Sequence, residues 1–285
     1  MGLDDRVKQL WLRAISRPRL SRLVSGLAES RLPAPLLRPL LRAYVRAYKV
    51  DLSEAAEPLA AYPSFNAFFT RRLRAGARSL DPDPGAVLSP CDARVHSIGP
   101  VPADGRLEQI KGNTYSLQGL LGGPEAAEFQ QGAQATLYLS PSMYHRVHSP
   151  VSGRIRSWRY LPGRLYPVNA LAVRLVKELF AVNERLAVFI DTEALGPVAV
   201  VMVGATNVGR MTLAFDSLAT NSGLPATAVR PAQAIPIERG QEIGAFNLGS
   251  TVVLLMGRPQ GLAARTAPAE VVKMGQALWR PGPTA

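Results

Sequence analysis

Cysteine is almost missing from this chain: Cys91 is the only one in 285 residues. A lone thiol excludes an internal disulfide framework and a cysteine-built metal site, and it suits a reducing compartment. Histidine is scarce as well, with only His96, His145 and His148. No stretch offers about 18 uninterrupted apolar residues, so no spanning helix is expected. Arg13, Arg17, Arg19 and Arg22 break up the start of the chain, where a secretory signal would need a short apolar core. Helix-turn-helix, zinc-finger and aromatic RNA-binding signatures are absent, so nucleic acid is not the expected partner.

Acids are few in the first quarter. Residues 1–78 hold 15 Lys and Arg against 6 Asp and Glu, so nine of the twelve excess positive charges lie there. Such a block attracts polyanions, and an anionic membrane surface is one. Its apolar residues recur at helical spacing: Val7, Leu10, Trp11, Ala14 and Ile15 before Pro18, then Leu20, Leu23, Val24 and Leu27. After Pro33 and Pro35 come Leu37, Leu40, Leu41, Tyr44, Val45 and Tyr48, interleaved with Arg38, Arg42, Arg46 and Lys49. Basic amphipathic helices of this kind either lie in a headgroup layer or pack on a core, and the pattern alone leaves both open. Phe65 to Arg74 reads as a further short helix burying Phe65, Phe68 and Phe69.

From about Leu88 the chain changes to short runs of Val, Ile, Leu and Tyr punctuated by Gly and Pro. They include Thr136–Leu139, Gly153–Tyr160, Leu186–Asp191, Val198–Val203, Arg210–Ala214 and Thr251–Met256. This spacing predicts an α+β protein: a β-rich, sandwich- or barrel-like catalytic core preceded by N-terminal amphipathic helices. Asn169 to Phe180 reads as one inserted helix. The expected division is a helical segment over residues 1–78 and a β-rich domain over 79–285.

Three segments carry groups that could do chemistry. In Phe246 to Met256 a Gly249-Ser250 pair precedes a strand-like run; it is either a tight turn or a serine placed to attack its own preceding carbonyl, a cut that leaves a ketone. Tyr144 to His148 holds two histidines three apart, which in extended backbone face opposite ways and suit different tasks rather than one metal. Ser89 to Val95 sets Asp92 at the mouth of a strand, where it is a turn former or the acid that orients a histidine beside Ser250. The G-x-S-x-G elbow of one large class of serine hydrolases is absent. A non-catalytic lipid-binding protein is the other alternative.

Together these segments resemble the bacterial, pyruvoyl-dependent phosphatidylserine decarboxylase family. The likeness rests on YKVDLSEA at Tyr48, FNAFFTRRLR at Phe65, SPCDARV at Ser89, KGNTYSLQGLL at Lys111, YLSPSMYHRVHSPVSG at Tyr138, LPGRLYPVN at Leu161, NERLAVFIDT at Asn183, VGATNVG at Val203 and GQEIGAFNLGSTVV at Gly240. One departure is Cys91-Asp92-Ala93, where the family commonly has Ala-Asp-Gly. The resemblance implies self-cleavage between Gly249 and Ser250 by Asp92, His148 and Ser250. It implies a large chain 1–249, a small chain 250–285 and a covalent pyruvoyl cofactor made from Ser250. That group would take the serine amine of phosphatidylserine as a Schiff base and release carbon dioxide and phosphatidylethanolamine. By the same likeness His145 supplies the decarboxylation acid or orients the substrate, and Lys111, Tyr115 and Tyr166 are candidates for the headgroup site. The two chains would stay together as a heterodimer, peripheral on the cytoplasmic side of the cell membrane.

Overall fold

Runs of β-branched residues with apolar side chains on both faces form a sheet buried on both sides, and that sheet organises this protein. The computed structural model describes residues 8, 10–12, 16, 18–110, 113–206, 210–247 and 250–282, with backbone alone at 18–20, 170 and 250. Strands β1 (Ala93–Pro100), β2 (Ala133–Leu139), β3 (Arg146–His148), β4 (Gly153–Leu161), β5 (Arg185–Thr192), β6 (Gly196–Val203), β7 (Met211–Leu213), β8 (Glu242–Phe246) and β9 (Ser250–Met256) carry the architecture. The main sheet is antiparallel in the order Thr227–Val229, β4, β5, β6, β9, β2, β1, Val271–Val272, with Ile235–Ile237 also on β4. A second antiparallel sheet runs β7, β8, β3. The fold is therefore α+β and rich in strand, as the sequence leads one to expect.

Alternation along the strands divides the core into two layers. Val252 and Leu254 join Leu137, Val188, Val200 and Trp158 in one cluster, which also takes in Val147, Ile243 and Phe246 of the second sheet. Val253 and Leu255 face the other way, into a layer with Tyr115, Phe129, Phe180, Phe189 and Val201. Tyr115 and Tyr166 are both buried in that layer, where the Tyr115 hydroxyl meets Thr136 and its ring packs edge-on against Phe180. Their rings pack in the core; Lys111 lies outside the described residues.

The N-terminal segment contains α1 (Pro18–Glu29), α2 (Ala34–Tyr48) and α3 (Phe65–Phe69). Leu37 and Leu41 of α2 pack with Val50, Tyr62 and Phe68 in a small core of their own. Leu36 and Leu40, one position earlier on the same helix, stand exposed. The amphipathic pattern on α2 thus packs one row of leucines on a core and leaves another row exposed. Leu10, Trp11, Leu23 and Leu27 are also exposed, while Val7, Ala14 and Ile15 lie outside the described residues.

Two expected elements differ. The helix read over Phe65–Arg74 is only α3: it ends at Thr70, whose hydroxyl turns back onto the Asn66 carbonyl, and Phe65 is only half-buried. The helix read over Asn169–Phe180 is two short ones, α5 (Ala170–Leu175) and α6 (Leu179–Val182), following α4 (Leu117–Leu121) in the chain. Val176 is extended and Glu178 has φ 51°. The buried Gln109 side chain fills this break, donating to the Val173 and Val176 carbonyls at 2.7 Å each and accepting from the Leu179 N–H at 2.6 Å. A long-range partner satisfies the freed backbone groups, so local periodicity does not decide the element.

Candidate active site

Two of the chain's crossings between the two sheets run side by side. The chain leaves β2 at Leu139 to reach β3, and leaves β8 at Phe246 to reach β9, where residue 250 pairs with Leu139. The Phe246 N–H donates to the His145 carbonyl at 2.9 Å, so the two crossings start side by side. The stretch leading into β1 joins them through the His148 N–H, which donates to the Pro90 carbonyl at 2.8 Å. Backbone pairing thus brings Asp92, His145, His148 and residue 250 to one end of the main sheet, although they are up to 158 positions apart in sequence. Gly249 and the Ser250 side chain lie outside what the structure describes.

His148 is nearly buried, and both ring nitrogens are engaged. Nδ1 lies 2.8 Å from the Gly240 carbonyl and Nε2 lies 3.0 Å from the Tyr144 hydroxyl. A carbonyl can only accept, so Nδ1 carries the proton and Nε2 is the basic nitrogen, receiving the Tyr144 O–H. Burial lowers the His148 pKa, opposed by the Gly240 hydrogen bond and by the Glu242 and Asp92 carboxylates. Burial also pushes the Tyr144 hydroxyl up to about 12, so it is a donor at neutral pH.

Asp92 lies within electrostatic reach of His148, but its hydrogen bonds go elsewhere. The Arg78 guanidinium donates to both carboxylate oxygens, with Nε 2.9 Å from Oδ1, and the Met274 N–H donates to Oδ1 at 2.9 Å. Arg78 also reaches Glu54 at 2.7 Å, and Glu54 accepts from Lys273 at 2.7 Å. The direct Asp92 to His148 hydrogen bond expected from the sequence is replaced in this structure by the Gly240 carbonyl.

His145 is fully buried, its ring centroid 4.0 Å from that of Phe69. Nδ1 donates to the Met143 carbonyl at 2.8 Å, which leaves a lone pair on Nε2, and that atom has no partner among the described residues. Burial brings the pKa to about 3, with the Arg71 charge adding to the fall, so the ring is neutral at neutral pH. Arg71 is buried and donates through Nη2 to the Ser142 and Met143 carbonyls.

Next to residue 250, Thr251 opens onto a mostly apolar cavity of about 520 Å³ with Arg94, His96, Tyr138, Val173 and Phe180 on its walls. Among the described residues the buried Thr251 hydroxyl has no partner. His96 is held by the Gln109 carbonyl at 2.7 Å. Sequence reasoning singles out Asp92, His145 and His148 but misses Tyr144, Arg78 and the Gly240 carbonyl. Tyr144 had a visible signal, an aromatic hydroxyl beside the histidine pair; a carbonyl oxygen has none.

A site of this form joins a β-rich fold to a buried histidine and a strand that begins at a Gly-Ser pair, as a self-processing enzyme would. The family model for phosphatidylserine decarboxylase matches residues 65–280. A phosphatidylserine decarboxylase proenzyme of Anaeromyxobacter sp. (strain K) is 45% identical over 282 residues, covering 97% of this chain and 99% of its own. Proenzymes of the same description from Marinobacter nauticus and Myxococcus xanthus are 44% and 42% identical, covering 91% and 89% of this chain and 92% and 90% of theirs. The chain belongs to the phosphatidylserine decarboxylase family.

Proposed function

We propose that this chain is a proenzyme that cuts itself between Gly249 and Ser250 and, once cut, decarboxylates phosphatidylserine to phosphatidylethanolamine. The observation that carries the reading is the position of residue 250. It opens the central strand β9, at the crossing where Asp92, His145 and His148 gather.

In the cut, the Ser250 hydroxyl attacks the Gly249 carbonyl carbon and His148 takes its proton on Nε2; the Gly249–Ser250 C–N bond then breaks, the proton passes to the freed residue 250 amine, and the amide has become an ester. Loss of the residue 250 Cα proton and cleavage of its Cβ–O bond release the Gly249 carboxylate; hydrolysis of the resulting dehydroalanine, with loss of ammonia, leaves the pyruvoyl ketone. Gly240 fixes the tautomer that makes Nε2 the base, and Tyr144 must yield that nitrogen to the serine. Asp92, held by Arg78, favours the imidazolium through space.

The buried, unpartnered Thr251 hydroxyl and His145 Nε2 fit a site that holds a further polar group. The pyruvoyl group supplies an electrophilic ketone and an electron sink for the departing carbon dioxide. His145, neutral and with its lone pair on Nε2, accepts a hydrogen bond from the substrate and orients it; the fall of its pKa argues against a resident imidazolium acid. The apolar cavity beside Thr251 receives the lipid end of the substrate.

A lipid substrate asks that the protein work at a bilayer. Among the described residues no helix is long and apolar enough to cross one. The exposed Leu23, Leu27, Leu36 and Leu40, near exposed Arg38, Arg42 and Arg46, suit peripheral attachment to an anionic surface through residues 1–78, on the cytoplasmic side of the cell membrane. After the cut, residues 250–285 keep β9 in the centre of the main sheet, Val271–Val272 on β1 and Ala277–Pro281 on Val87–Leu88, which holds the two chains together as a heterodimer.

Intact-mass measurement of the purified protein is the test. Two co-purifying chains are expected, the smaller starting with a mass-shifted residue 250, and Ser250→Ala gives one chain that releases no carbon dioxide from phosphatidylserine. A single uncut chain in active wild-type protein sinks the reading.

A further inference from the structure

A short basic segment just after α3 folds back on itself. Gly76 has φ +78°, a conformation that favours glycine, and the Ala77 N–H returns to the Arg74 carbonyl at 3.1 Å. This turn brings Arg72, Arg74 and Arg78 onto one cavity of about 230 Å³, whose far wall holds Tyr144, His148 and Glu242. The charges on that wall are unequally matched. Arg78 is neutralised from behind by Asp92 and Glu54, and Glu242 by Arg146 at 2.6 Å. Arg72 and Arg74 are exposed, and among the described residues neither has an ion-pair partner. Arg72 and Tyr144 line the same cavity, and the Arg72 charge acts on the Tyr144 hydroxyl.

Two guanidinium forks without an ion-pair partner among the described residues, lining a small open cleft, are the chemistry that takes a tetrahedral oxyanion, since each fork can offer two parallel N–H donors to its oxygens. We propose that this cleft is a phosphate-binding site, separate from the apolar cavity beside Thr251, and that it takes a phosphate group borne by a phospholipid headgroup or free in solution. Arg72 and Arg74 supply the donors, and the bound group sits against the Tyr144–His148 pair. The site goes beyond the proposed reaction and does not need residue 250 to have been processed.

The purified full-length protein is titrated with inorganic phosphate and, separately, with phosphatidylcholine vesicles carrying phosphatidylglycerol. Wild type is compared with Arg72→Gln/Arg74→Gln, and with Arg38→Gln/Arg42→Gln as a charge-matched control for the free-phosphate arm. Because all four side chains are exposed, both variants are expected to keep the wild-type melting curve. Binding of at least one probe should weaken about tenfold or more in the Arg72→Gln/Arg74→Gln protein. Loss with inorganic phosphate and retention in the control mean that the phosphate group alone suffices; loss confined to vesicles means that the headgroup is the ligand. Equal binding of both probes by wild type and Arg72→Gln/Arg74→Gln overturns the site, as does an equal loss of free-phosphate binding in the control.

Discussion

The Tyr144 hydroxyl lies 3.0 Å from Nε2 of His148, and the opposite ring nitrogen is held 2.8 Å from the Gly240 carbonyl. This pair fixes which nitrogen of His148 is basic and what occupies it before a substrate proton arrives.

Tyr144→Phe removes a hydrogen bond made to the neutral form of the ring. Losing it destabilises neutral imidazole relative to imidazolium, so the His148 pKa rises. Self-cleavage that depends on neutral His148 then turns on at higher pH. The expected outcome is an upward move of the half-maximal point in the pH profile of cleavage, followed as the ratio of uncut to cut chain by mass spectrometry. An unmoved profile would show that Tyr144 does not tune this base.

Asp92, His145 and His148 are legible in the sequence because side-chain chemistry marks them. What they touch is not, because the contacts come from register. Glu242 faces His148 across β3 and β8, and the stretch 89–92 meets β3 through a backbone bond, neither of which any local pattern announces. The strands are legible for a similar reason: β5, β6 and β9 are apolar on both faces and bounded by turn residues. The segment 169–182 is not, since its break is satisfied by Gln109, more than 60 positions away.

Arg78 bridges two carboxylates, Asp92 and Glu54, with its own side chain only 5% exposed. Arg78→Met leaves Asp92 buried without its cation, and breaking a buried pair from one side costs about 3–5 kcal/mol. Urea unfolding on the Ser250→Ala background, which removes the proposed cut, should show a loss of that size. Arg78→Lys keeps the charge but loses the fork and should fall between. A loss below about 1 kcal/mol in the Met variant, within the range of exposed pairs, would mean that the bridge is not closed in solution.

His145 makes the fold sensitive to acid. In the unfolded chain the ring takes a proton near its ordinary value of 6.5, whereas in the native protein it does so only at about 3. Its contribution is complete above about pH 6.5 and is lost as pH falls toward about 3, by no more than about 1.4 kcal/mol per pH unit. Glu54, brought down to about 2 chiefly by its hydrogen bond to Arg78, adds a lower window, from its ordinary value of 4.5 downward. Denaturant midpoints compared at about pH 6.5 and about pH 5 lie above the Glu54 window but include His148, whose pKa burial also lowers, so the His145 share is the part of the change that its replacement removes. His145→Phe, which keeps a ring against Phe69, should flatten the change over that interval. An equal fall in the variant would assign the acid sensitivity to other groups.

The proposed peripheral attachment to a bilayer rests on the exposed leucines of α1 and α2. Leu23, Leu27, Leu36 and Leu40 are 68%, 70%, 62% and 46% exposed, whereas Leu37 and Leu41 on the same α2 are buried in the local core. Replacing the four exposed leucines with Ser removes apolar surface available to a bilayer and leaves the packed face intact. Each leucine buried in the headgroup layer contributes up to about 1.5–3 kcal/mol, so even partial insertion of four should shift vesicle partitioning by well over about tenfold. Cosedimentation with anionic vesicles should show that loss with the melting curve unchanged, while decarboxylation of a detergent-dispersed short-chain phosphatidylserine is kept. Because Leu37 and Leu41 remain in the variant, weakened vesicle binding without unfolding separates a membrane face from a packing face. Wild-type binding by the quadruple variant would place the lipid contact elsewhere on the protein.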